Sequence, residues 1–184
     1  SNIQMSMLPG GGTVSITEQS YQLYAQLRPA RRVGGDLYFY QHEDDKLHFI
    51  VGDVSDKGVP AALFMAKAVT LYTGALDDDL SPGDTLSRMN HALVQNNEAC
   101  MFVTALCGTL DLDTGELTMA NAGHMHPLQT SPDSSGELPV DGGMALGLME
   151  DIEYPNVINQ LADKTSLLMY TDGISEAFNP GGEQ

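Results

Sequence analysis

Phe49-Ile-Val-Gly-Asp-Val-Ser-Asp-Lys-Gly-Val-Pro-Ala-Ala-Leu-Phe-Met65 is the stretch whose reading decides the fold. Its opening apolar run, Phe49 to Val51, reads as a buried strand that stops at Gly52. Asp53 then stands at the strand end, before a tight Ser55-Asp56-Lys57-Gly58 turn. Pro60 suits the first turn of a helix, where its missing N–H would be unpaired in any case. Between Ala61 and Leu76 the only strongly polar side chain is Lys67, which predicts a helix covered on most sides. Two readings of Asp53 stay open: a cap for the turn, or a ligand for a hard cation.

Two other stretches bear on that choice. Val33-Gly34-Gly35-Asp36 puts a carboxylate after a glycine pair, at the start of a strand over 37–41. Ser166-Leu-Leu-Met-Tyr-Thr-Asp172-Gly173 repeats the pattern of an apolar strand ending in Asp-Gly. Three aspartates near strand ends predict convergence at one rim of a sheet. Clustered carboxylates repel one another unless cations sit between them. An all-oxygen donor set favours Mg²⁺ or Mn²⁺.

Working outward, 184 residues suit one domain with a sizeable core, and 42% hydrophobic content argues against disorder. The 25 acidic and 8 basic residues leave a net charge of −17, which disfavours nucleic-acid and anionic-membrane surfaces. No apolar stretch reads as long enough for a membrane span and no signal peptide is visible, so a cytoplasmic protein is expected. Cys100 and Cys107 are too few for a disulfide framework or zinc site, and neither has Arg six positions later, as a cysteine phosphatase would. Both are expected as small core residues.

Tyr21 to Leu27 alternates as a strand, and with 37–41 and 47–53 it predicts an antiparallel meander. Ser81-Pro82-Gly-Asp84 is a helix start, followed by one apolar face of Leu86, Met89, Leu93 and Val94. Met101 to Leu112 reads as a long strand, Asp113-Thr-Gly115 as a hairpin turn, and Glu116 to Ala122 as the returning strand. In Ala120-Asn-Ala-Gly-His-Met-His-Pro127, the glycine and proline favour a turn shaped by Asn121, Gly123 and His124 over a histidine metal pair. Residues 129–143 read as a loop or weak hairpin. Arg31 or Arg32 could receive a phosphate through a bidentate fork or simply be solvated. The whole predicts an α+β protein of antiparallel sheets with helices outside.

Four motifs in order, Ala30-Arg-Arg-Val-Gly-Gly-Asp-Leu-Tyr38, Gly52-Asp-Val-Ser-Asp-Lys-Gly-Val-Pro-Ala-Ala62, Ala120-Asn-Ala-Gly-His124 and Tyr170-Thr-Asp-Gly-Ile-Ser-Glu176, resemble the PPM-type (PP2C-like) serine/threonine phosphatases of the bacterial sporulation-stage-II-E / sigma-B-regulator family. The resemblance runs from about Leu8 onward. It implies an α-β-β-α sandwich of two antiparallel sheets flanked by helices, with metals in a rim cleft. It further implies that Asp53 bridges two Mn²⁺ or Mg²⁺ ions, that the Val54 carbonyl helps hold one, and that Asp172 binds the other. Asp36 matches an acid acting through metal-held water, a weak ligand at most, and His124 lies near the site as a weak candidate, with Arg31 and Arg32, for binding the substrate phosphate. Hydrolysis by a water activated between two metals follows, with no phosphoenzyme.

The implied substrate is a phosphorylated anti-sigma-factor antagonist of the STAS type, in a partner-switching pathway. A catalytically silent domain that binds such a partner is the alternative. Residues 1–12 resemble the end of a helix linking an upstream sensor, with Gly10-Gly11-Gly12 as a flexible junction, and 13–184 the phosphatase domain. Against the family pattern, the sequence stops before a helix and a strand carrying a further metal-binding aspartate, which leads us to expect weakened metal binding and a tendency to dimerise. Phe39 stands where the family often has aspartate.

Overall fold

The computed structural model describes residues 8–18, 20–28 and 34–175. Its central sheet has five antiparallel strands: β3 (Leu37–Glu43), β4 (Lys46–Val54), β5 (Val103–Asp111), β6 (Glu116–Ala122) and β9 (Val157–Gln160), in that spatial order. Short turns join β3 to β4 and β5 to β6. At the β5–β6 corner the Asp111 carboxylate accepts the N–H groups of Asp113 (3.1 Å) and Thr114 (2.7 Å), and Gly115 takes a left-handed φ of 75°. Two smaller sheets accompany it. One pairs β1 (Thr13–Thr17) with β2 (Gln22–Gln26); the other sets β10 (Ser166–Leu168), β7 (Leu128–Thr130) and β8 (Ser135–Glu137) side by side.

Strand alternation separates two cores. Ile50, Val54, Val103, Ala105, Cys107, Ala120 and Ala122 point to one face, where they meet α1 (Val59–Leu76) and α2 (Pro82–Val94). The alanines on β5 and β6 leave room for Met65, Tyr72, Leu86, Met89 and Leu93 to sit close to the sheet. Phe49, Leu106, Leu117 and Met119 point the other way, onto Val140, Leu138, Leu167 and Met169 of the β7–β8–β10 layer. The result is the expected α+β architecture, with a sheet sandwiched between helices and a second strand layer.

Several expectations need correction. β4 does not stop at Gly52; it pairs with β5 through Asp53↔Thr104 and Val54↔Val103. The meander does not include residues 22–26, which pair with β1 instead. α1 is covered on one face only: Ala61, Met65, Ala68, Val69, Tyr72 and Ala75 are buried, whereas Leu63 is 67% exposed. That helix is also long and apolar enough, by length and composition, to cross a membrane, which the sequence reading had denied; its buried face packs against the sheet. Cys107 is buried but Cys100 is exposed. Residues 9–12 form a 3-10 turn rather than a loose junction, with Leu8 buried and the Pro9 carbonyl accepting the Tyr38 hydroxyl at 2.8 Å. Phe39 packs edge-on against the Tyr72 ring at 6.0 Å, so an apolar residue there serves the helix–sheet contact. The α2 start is as read: Ser81 caps the helix by accepting the Asp84 N–H.

The one-sided burial of α1 has a direct test. Met65→Ala, on the sheet-facing side of the helix, is expected to cost roughly 2–5 kcal/mol in urea unfolding. Leu63→Ala should change stability by no more than about 0.5 kcal/mol; a large loss there would mean the outer face is covered.

Candidate active site

Because β4 continues past Gly52, its alternation carries Asp53 to the same face as Phe49 and Val51, between the two strand layers. Asp36 precedes β3, the neighbouring strand, in which Leu37 pairs with Gly52. The two carboxyl groups lie within hydrogen-bonding reach of each other. Gly35 permits this approach. A Cβ on it would lie 2.5 Å from the Val54 carbonyl oxygen and 3.0 Å from Asp53 Oδ1.

Asp172 comes from a third place. It opens a short helical turn, α3 (Asp172–Ser175), beyond β10, rather than ending a strand as expected. It is close enough to raise the proton affinity of both other aspartates, and the Thr171 hydroxyl beside it hydrogen-bonds Asp36. Burial chiefly, then the charges of Asp36 and Asp172, push the Asp53 carboxyl up to about 7. Burial likewise raises Asp36. The three aspartates read from sequence therefore do converge. Among the described residues, however, no three His, Cys, Asp or Glu side chains make a ready metal cage.

The wall of the site is hydrogen-bonded throughout. Asn121, 3% exposed, accepts the His124 N–H (2.8 Å) and donates to the carbonyls of His124 and Val140, both at 3.0 Å, while Gly123 takes φ 68°. His124 is buried, which lowers its proton affinity and keeps the ring neutral. Its Nε2 donates to the Tyr170 carbonyl (3.0 Å), leaving Nδ1 to accept the Thr104 hydroxyl (3.0 Å). Both ring nitrogens are thus occupied within the protein, against the expectation that His124 might touch phosphate. The ring instead ties the β6 loop to the backbone two residues before Asp172. Between these walls opens a cleft of about 440 Å³, lined by Asp53, Lys57, Thr104, His124, Met125 and Asp172 among others.

Comparison with known proteins was decisive at this point. The family model described as stage II sporulation protein E (SpoIIE) matches residues 43–184. The chain belongs to the SpoIIE family. Phosphoserine phosphatase RsbU of Bacillus subtilis (strain 168) is 26% identical over 182 residues, covering 98% of this chain and 53% of RsbU. The chain spans about half or less of the length of the curated relatives it matches. Among solved structures, the SiaA-PP2C domain of Pseudomonas aeruginosa superposes with a TM-score of 0.77 at 22% identity, over 98% of this chain and 72% of that one. RsbX in complex with magnesium superposes at 0.72 with 19% identity, over 88% and 78%. These likenesses establish the PP2C-like fold.

Within this SpoIIE-family frame, Asp36, Asp53, Val54, His124 and Asp172 lie at or around one rim, while Arg31 and Arg32 fall outside the described residues. Thr104, Thr171 and Lys57 escaped the sequence reading as site residues. Thr104 was in principle legible, since pairing β4 with β5 puts it directly opposite Asp53.

Two outcomes test this geometry. Gly35→Ala must displace a backbone carbonyl, and overpacking of this kind is expected to cost roughly 1–3 kcal/mol in urea unfolding. The second concerns pH in the metal-free protein. Folded Asp53 keeps its proton to about 7, against 3.8 for the ordinary group, so the folded state binds the extra proton between those values. The stability this carboxyl contributes is full below the lower value and is lost as pH rises through the upper one. In EDTA, the stability of the unmodified chain should therefore fall relative to Asp53→Asn across that window. Parallel profiles would mean that Asp53 is not perturbed.

Proposed function

We propose that this chain carries the catalytic domain of a metal-dependent protein phosphatase that hydrolyses phosphoserine or phosphothreonine on a regulatory protein. The carrying observation is the crowding of Asp36, Asp53 and Asp172, which raises the proton affinity of the first two. Such a group is costly for a structural element, and divalent cations relieve it. The donors fit a hard cation: carboxylate oxygens and the Val54 carbonyl, with no cysteine in the lining and with His124 engaged elsewhere. Asp53 and the Val54 carbonyl would hold one Mg²⁺ or Mn²⁺ and share Asp53 with a second, which Asp172 completes; Asp36 supports the set beside Asp53. When bound, the ions supply positive charge for the phosphoryl oxygens and make water acidic enough to attack at neutral pH.

The chain's own residues do the rest. Burial and repulsion within the acidic cluster raise the proton affinity of Asp36 and Asp53, so cations held there would compete with protons for the pair. His124 and Thr104 hold the floor of the cleft still, and His124 fixes the backbone that presents Asp172. Preorganisation of this kind is what phosphoryl transfer chiefly requires. RsbU, a phosphoserine phosphatase by name, and RsbX, crystallised with magnesium, support the reaction class and the metal. The motif resemblance supports a STAS-type antagonist as substrate, in the cytoplasm.

Asp53→Asn is expected to abolish Mn²⁺-dependent hydrolysis of a phosphoserine peptide while leaving the circular dichroism spectrum and unfolding cooperativity intact. Turnover unchanged in that variant would refute the role of Asp53. Absence of metal binding by calorimetry in the unsubstituted protein would leave partner binding without hydrolysis as the better reading.

A further inference from the structure

Resting on the phosphatase reading, we infer that Lys57 is the side chain that recognises the phosphoryl group of the substrate, setting the preference of the cleft for phosphorylated over unphosphorylated serine. A phosphate monoester entering this cleft brings nearly two negative charges to a wall already carrying Asp53, Asp56 and Asp172. Beyond metal ions, it needs an N–H donor with positive charge. His124 does not serve, because burial keeps it neutral and Thr104 and Tyr170 occupy its nitrogens. Thr104 and Ser55 are neutral, and Ser55 Oγ already accepts the Phe102 N–H at 2.9 Å. Lys57 is the only Lys or Arg lining the cleft among the described residues.

Two further features set this lysine apart. In a chain with 25 acids for 8 bases, a lysine ordinarily finds a carboxylate. The ion pairs among the described residues belong to Lys46 with Asp79 and Arg88 with Asp78, and Lys57 forms none. Its placement is also built in. Asp56 (φ 76°) and Gly58 (φ 86°) are both left-handed and flank it in the turn, a conformation a non-glycine residue adopts only under strain. The turn leads into α1, whose first N–H groups have no side-chain cap, so Lys57 stands beside the positive end of that helix. A lysine lining the same cleft as Asp53 and Asp172 gives it a cationic donor beside its metal-binding acids.

The test uses the full protein chain loaded with Mn²⁺. Lys57→Ala is expected to weaken binding of inorganic phosphate, measured by calorimetry and as product inhibition, by roughly tenfold, the effect of one exposed charged hydrogen bond. KM for a phosphoserine peptide should rise by a similar factor, with kcat reduced less and Mn²⁺ affinity unchanged. Lys57→Arg should recover most of the phosphate affinity. Unchanged phosphate binding in Lys57→Ala would overturn the inference, as would a loss of Mn²⁺ affinity matching the loss of phosphate affinity. Asp53→Asn run alongside keeps the two ideas apart. If that variant turns over normally while Lys57→Ala still binds phosphate weakly, the role of Asp53 in hydrolysis falls and the phosphate contact of Lys57 stands.

Discussion

The alternation of β4 is the constraint on which the rest of the molecule depends. One strand must feed Ile50 and Val54 to the helices and Phe49 to the second strand layer, and the same two-residue period delivers Asp53 into the gap between the layers. A one-residue slip in its pairing would bury the carboxylate against α1 and strip the sandwich of Phe49. The apolar clusters thus hold the register, and the register aims the acid. Stability and chemistry share one strand, which is why the most acidic corner of the structure sits at the end of its most buried element.

Much of this was legible in the sequence because it is local. The Ser81 cap, the Asp113-Thr-Gly115 corner, the returning strand over 116–122 and the Asn121–His124 turn all follow from residues within a few positions of one another. So did the convergence of the three aspartates, through strand ends marked by glycine. What went astray depended on distant partners. β4 continues past Gly52 because β5 is there to pair with it, and the strand over 22–26 chose β1 over β3 because of where the chain before it lies. The apolar composition of α1 overstated its cover, since composition does not tell which face meets the sheet. The exposure of Cys100 follows from a left-handed turn at φ 51° that thiol chemistry gives no hint of. His124 was placed near the site correctly, but that its ring is spent on internal hydrogen bonds is visible only once Thr104 and Tyr170 stand on either side.

The site is therefore made of unequal parts. Asp36 and Asp53 sit on adjacent strands of the central sheet, fixed by ladder hydrogen bonds and the close pass at Gly35. Asp172 reaches them from the smaller strand layer and is steadied by one imidazole hydrogen bond to the preceding backbone. Lys57 belongs to neither part, standing on the turn that leaves the sheet for α1.

That division has a consequence for the order in which the protein comes into being. β3 and β4 form a hairpin, as do β5 and β6, so these contacts close short loops and can form early. β10 pairs with β7 across a long intervening stretch, and only then does the segment bearing Asp172 arrive. A nascent or partly unfolded chain would hold the Asp36–Asp53 pair before its third acid is in place. The pairing that brings in Asp172 closes a longer loop than the hairpin that sets Asp36 beside Asp53, so the three acids are gathered in two steps rather than one.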